Sequence, residues 1–92
     1  MRTIEYATAF KRDFKREKHN RHKNLDQSLT EIVELFLVDK PLPEKNRDHK
    51  LSGDWEGFRE CHVKPDLLLI YDKTPKTLRL ARIGSHSQLF KK

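Results

Sequence analysis

The fold class this 92-residue sequence predicts is α+β: an antiparallel sheet with two N-terminal helices packed on one face. Two apolar stripes at helical spacing occupy the first half of the chain. From His49 onward the period shortens to that of strands, broken by Gly, Pro and Asp turns. Hydrophobic residues make up 35% and charged residues 37%, so the helices have one apolar face each and the sheet leaves its second face open to solvent or a partner. One domain over residues 1–92 is expected, because so short a chain has no room for two cores.

The elements follow in order. Arg2 to Tyr6 alternates weakly and suits a short strand. Ala7 to about His19 sets Phe10 and Phe14 four apart among Lys11, Arg12, Lys15, Arg16 and Lys18, as an amphipathic helix does. Lys18 to Lys23 is a basic break, read as a solvated turn. A second helix starts at Asn24, a favourable N-cap with Gln27 three residues on. Its core stripe is Leu25, Leu29, Ile32 and Phe36, and Pro41 and Pro43 end it. Glu44 to Asp48 reads as a loop. Beyond it come a short strand at His49 to Leu51, a turn at Ser52-Gly53-Asp54, a strand from about Glu56 to His62 and a turn at Val63 to Asp66. Strands Leu67 to Asp72 and Thr77 to Gly84 and one helical turn in the closing Ser-His-Ser-Gln-Leu-Phe complete the chain.

Lys and Arg total 20 against 14 acidic residues, a formal charge of +6, so the partner is anionic. Nucleic acid is the first candidate, since phosphate contacts dominate such affinities, and an acidic protein exploits the same field. A single cysteine closes no internal disulfide. The apolar runs are far shorter than the roughly 20 residues that span a bilayer, and the N-terminus lacks an apolar signal core. A cytoplasmic protein without membrane contact is expected.

Strand parity from Glu56 sends Phe58, Glu60 and His62 to one side and Arg59 and Cys61 to the other. Cys61 then belongs to the core and His62 faces away from the helices. Alone, an exposed histidine is ordinary surface. Here Asp66 leads out of the adjoining turn, and Arg82 and His86 stand at the end of the last strand, which antiparallel pairing returns toward that turn. His49 opens the meander. Their spacings lack any Cys-x-x-Cys or His-x-x-x-His pattern, so no metal is expected, and no glycine-rich phosphate loop or nucleophile motif calls for a cofactor. What fits is acid–base chemistry on RNA: a base for the 2′-hydroxyl, an acid for the leaving 5′-oxygen, a cation for the phosphate. Two other readings fit the same residues, a non-catalytic RNA- or ribosome-binding module and a cationic face that mainly holds an acidic partner. Trp55 reads as a packing anchor beside a turn.

The run from His49 through Leu-Ser-Gly-Asp-Trp-Glu-Gly-Phe-Arg to His62, then Pro65-Asp66, Leu69-Ile-Tyr71, Arg82-Ile-Gly84-Ser-His86 and Leu89-Phe90, resembles the YafQ branch of the RelE-like toxins of bacterial toxin–antitoxin systems. The resemblance spans nearly the whole chain. It implies a RelE-like fold and a metal-free endoribonuclease, an mRNA interferase that cuts messenger RNA in the decoding (A) site of the small ribosomal subunit. It further implies silencing by a cognate DinJ/RelB-like antitoxin, with the toxin alone a monomer and a higher-order complex formed with the antitoxin. Carried over by position, His49, His62, Asp66 and His86 are the catalytic set, Arg82 binds phosphate and Phe90 positions substrate. His86 is assigned as general acid, Asp66 and His49 share the base or relay role, and His62 orients the site. One departure stands out: the best-known member has tryptophan after the aspartate, where this chain has Leu67, which bears on base stacking and codon preference. His19 and His22 have no matched counterpart and read as solvated surface.

Overall fold

The structure, a computed structural model, describes residues 2–20 and 24–90. Five strands form one sheet: β1 (Thr3–Tyr6), β2 (His49–Lys50), β3 (Arg59–Lys64), β4 (Leu67–Lys73) and β5 (Thr77–Gly84), in the order β1-β5-β4-β3-β2. β2 to β5 make the expected antiparallel meander, but β1 joins β5 in parallel, with Thr3 opposite Thr77 and Tyr6 opposite Leu80. The sheet is therefore mixed. A parallel partner needs a long crossover, and the two helices that follow β1, α1 (Thr8–Asn20) and α2 (Leu25–Leu37), begin that excursion.

The helices cover one face. Leu25, Leu29, Ile32 and Phe36 all bury, as their spacing dictates, against Cys61, Leu67, Leu69, Tyr71, Leu78, Leu80 and Ile83. Each such side chain contributes about 1.5–3 kcal/mol on leaving water. Phe36 meets Tyr71 with ring centroids 4.3 Å apart. Cys61 is fully buried, and burial pushes its thiol pKa up, so it is a core residue. Asn24 is the N-cap residue of α2, as expected, but it caps without its side chain. Asn24 makes no side-chain cap bond, because its Oδ1 accepts from Lys64 Nζ at 3.0 Å. Of the expected basic break, Lys18 to Asn20 continue α1, and residues 21–23, His22 among them, lie outside the described residues.

The second face is not open. Leu68, Ile70, Ala81 and Leu89 form a smaller cluster there, joined by half-buried Leu51, Trp55, Phe58 and Phe90. Trp55 meets Phe58 edge-on at 5.3 Å, in the packing role expected of it. Covering it are a one-turn helix at Gly53–Trp55 and α3 (His86–Leu89). α3 opens with a full capping box: Ser85 Oγ accepts from the Gln88 amide, and Gln88 Oε1 accepts from the Ser85 amide at 2.8 Å. β3 starts at Arg59 rather than Glu56, since Gly57 turns the chain with φ +94°, and it runs on to Lys64, leaving only Pro65-Asp66 as the turn. Glu44 to Asn46, expected as loop, is a helical turn whose buried Asn46 donates to the His62 carbonyl at 2.6 Å.

Candidate active site

Strand register brings His49, His62 and Arg82 of the expected residues into two neighbouring rows, while Asp66, His86 and Phe90 lie beyond the strand ends. One row runs His49, Glu60, Ile70, Arg82 across four strands. The next runs His62, Leu68, Gly84, and His86 follows two residues beyond that glycine. At the usual strand spacing, the His62 and Gly84 backbones are about 10 Å apart. Within these rows Leu68 and Ile70 are buried in the second-face cluster, which backs the site from within.

Each site residue is held by its surroundings. His62 is anchored through the Asn46 bond to its carbonyl, and its Nδ1 lies 3.4 Å from the Pro65 carbonyl. Asp66 is exposed in the tight turn between the Lys64–Leu67 pair. His86 is the first residue of α3, exposed, with its ring centroid 5.0 Å from that of Phe90. Phe90 is rooted in the second-face cluster, so it carries the imidazole on an apolar base.

His49 stands at the sheet edge. Its Nε2 is 3.3 Å from Glu60 Oε1 and its Nδ1 is 2.7 Å from the Arg47 carbonyl. The backbone before it is pinned: Tyr71 Oη donates to Asp48 Oδ1, and Arg59 Nε donates to the same oxygen at 3.2 Å. Burial, then the bond to Asp48, raises the Tyr71 pKa. The Arg59 pKa is raised as well: burial acts to lower it but is outweighed by the bonds to Tyr71 and Asp48.

Arg82 is placed differently from the residues around it. Its guanidinium turns to α1, where Nε donates to Asp13 Oδ2 at 2.5 Å and Nη2 to Oδ1 at 3.1 Å. The bond to Asp13 raises its pKa. Leu67, where a tryptophan would stack, is fully buried under the helices and presents nothing to the site.

Three residues escaped the sequence reading. Strand parity gives the face of Glu60 but not its burial; its Oε2 has no partner among the described residues. Asp13 carried a signal, since Phe10, Asp13, Phe14 and Glu17 share one helical stripe, which puts two carboxylates on a buried face. Asp48, in an unremarkable polar loop, carried none. Among the described residues, no group of three or more His, Cys, Asp or Glu is arranged to hold a metal.

The chain matches, over residues 2–91, the profile of YafQ, the bacterial toxin of type II toxin-antitoxin systems. It belongs to the YafQ toxin family. The mRNA interferase toxin YafQ of Escherichia coli K12 is 40% identical over 89 residues, 97% of this chain and 96% of that protein. Toxin from the E. coli DinJ-YafQ complex superposes with a TM-score of 0.85 at 41% identity, covering 98% of this chain and 99% of that one. A metal-bound toxin from Helicobacter pylori superposes with a TM-score of 0.88 at 43% identity, over 98% of this chain and 100% of that one. The mixed sheet with its two main helices is thus the YafQ architecture, and no described helix is long and apolar enough to cross a membrane.

Proposed function

We propose that this YafQ-family toxin is a cytoplasmic, ribosome-dependent endoribonuclease that cleaves mRNA in the decoding site by side-chain acid–base catalysis and is silenced by a DinJ-like antitoxin. The observation that carries this reading is the pair of adjacent rows that hold His49, Glu60 and His62, with the His86 turn beyond them, in a chain 40% identical to an mRNA interferase. Residues so distant in sequence share these rows because the register of β2 to β5 fixes them there.

The chemistry needs one proton removed and one delivered. Asp66, together with His49 and its Glu60 neighbour, takes the 2′-hydroxyl proton. The freed oxygen attacks phosphorus, and the bond to the 5′-oxygen breaks as His86 delivers a proton to it. The products are a 2′,3′-cyclic phosphate and a 5′-hydroxyl. Phe90 holds the His86 ring, and Asn46 and the Pro65 turn hold His62. Arg82 supplies positive charge toward the phosphate. Imidazole suits either proton role near neutral pH, and each well-placed acid or base is worth roughly 10²–10⁴ in rate.

The test uses purified ribosomes programmed with a short mRNA. Asp66→Ala and His86→Ala should each suppress cleavage while binding persists. Full cleavage by the double variant removes the catalytic reading. Binding that falls steeply with salt, with no cleavage by the wild type, favours a module that only binds RNA.

A further inference from the structure

We propose that Asp13 is a positioning residue for the reaction, dividing the Arg82 guanidinium into an inner edge held by the protein and an outer edge left for the substrate phosphate. The inference rests on the phosphodiester-cleaving reading above and adds to it a residue from α1, remote in sequence from the rest of the site.

Asp13 is fully buried, and its carboxylate is saturated. Oδ2 accepts from Arg82 Nε at 2.5 Å and from the Ile83 amide at 3.2 Å. Oδ1 accepts from Arg82 Nη2 and from Arg16 Nη1, both at 3.1 Å. An ionised carboxylate offers about four acceptor sites, and four donors occupy them. With no site spare, the carboxylate cannot swing to follow Arg82, so Arg82 takes its orientation from Asp13.

The need for this carboxylate arises in the sheet. β1 pairs with β5 only as far as Leu80, and the ladder between β4 and β5 shifts register between Ile70 and Tyr71. The outer side of β5 at Arg82 and Ile83 therefore has no β1 residue opposite it. Asp13 reaches that stretch from the helix and bonds its amide. The same contact fixes the backbone two residues ahead of Ser85, the cap of the helix that carries His86.

A guanidinium has five donors in a planar fork. The fork to Asp13 uses Nε–H and one Nη2–H, leaving both Nη1 protons and the second Nη2 proton on the opposite edge. The Arg82 side chain is 27% exposed, against 1% for Asp13. One edge thus faces a buried carboxylate while part of the group still reaches solvent. A purely structural salt bridge would tie α1 to β5 and do nothing for the chemical step.

Single-turnover cleavage of mRNA on programmed ribosomes separates the two, read as the rate at saturating toxin and the half-saturating toxin concentration. Asp13→Asn should lower the saturating rate by roughly 10- to 100-fold, as misplacement of a binding group does. Half-saturation should stay within about twofold, and adding Arg82→Ala should cause no further loss. Circular dichroism confirms the fold. Should Asp13→Asn melt below the assay temperature, Arg82→Lys carries the test, since lysine cannot bond Asp13 along one edge and phosphate along another. That variant should be as slow as Arg82→Ala. Wild-type cleavage with a slow Arg82→Ala but a full-rate Asp13→Asn or Arg82→Lys overturns the positioning role alone. Full-rate Arg82→Ala overturns it by removing Arg82 from the chemistry, and an inactive wild type overturns both this inference and the function on which it rests.

Discussion

The imidazole of His86 rests on the ring of Phe90, centroids 5.0 Å apart and planes tilted by 42°. Phe90 is itself half-buried against Leu68, Ile70, Ala81 and Leu89. The exposed His86 is thereby tied to the second apolar cluster, and catalysis should be sensitive to that cluster. Phe90→Ala should slow ribosome-dependent cleavage about tenfold or more, whereas Phe90→Trp, which keeps an aromatic platform, should retain most of the rate. Gel-resolved cleavage time courses check both.

Gly84 lies where β5 hands over to α3. A Cβ there would stand 2.8 Å from Gln88 Oε1 and 3.3 Å from Arg16 Nη2. Gln88 is flexible and can retreat, but doing so breaks the capping box with Ser85. Gly84→Ala should therefore lose about 1 kcal/mol of stability and lower activity through His86, while Gln88→Ala lowers activity to a similar extent. Denaturant midpoints and cleavage rates, measured together, test the link.

Glu60 sits beside His49 with one oxygen at 3.3 Å and the other buried without a partner among the described residues. Glu60→Gln should keep the shape and weaken the hold on His49, giving a cleavage defect of the same order as His49→Ala. The double variant should be no worse than either single one. A full additive loss would mean that the two residues act separately.

The stability of the protein should fall at alkaline pH. Both Cys61 and Tyr71 have raised pKa values in the fold, the first from burial and the second from burial and then the bond to Asp48. The folded state then keeps these protons after the unfolded chain has lost them. Their contribution is complete below the ordinary values, 9.0 for the thiol and 10.0 for the phenol, and is lost as pH rises beyond them. Tyr71→Phe should remove the phenol's share of that dependence. It should also destabilise the protein at neutral pH by about 1–3 kcal/mol, because Asp48 loses a donor. Chemical denaturation between pH 7 and about 10.5 reads both effects.

Much of this arrangement was legible in the sequence, for identifiable reasons. The stripe Leu25, Leu29, Ile32, Phe36 has one helical solution, and Cys61 against His62 follows from strand alternation. The turns at Pro65-Asp66 and 74–76 set which strand ends meet, but the register shifts beside His62 and Ile70 carry no signal in the sequence. What stayed hidden depended on contacts between distant segments. Asn24 takes the N-cap position that the sequence indicates, but Lys64, forty residues on, claims its side-chain oxygen. The parallel pairing of β1 depends on where two helices bring the chain back. The direction of Arg82 depends on Asp13, which looks like one more surface charge unless the helical stripe is followed through it. The apolar second face arises because alternating strands supply Leu68 and Ile70 on that side, and two short helical turns then cover them.

Whether His49, His62, Asp66 and His86 act on a single phosphodiester is read most directly by end-mapping of an mRNA on programmed ribosomes. Wild-type toxin should cut within the decoding-site codon and leave 2′,3′-cyclic phosphate and 5′-hydroxyl ends. His86→Ala should still bind the ribosome yet cut at least about 100-fold more slowly. Cleavage by His86→Ala at the wild-type rate, or ends bearing a 5′-phosphate, would contradict the account.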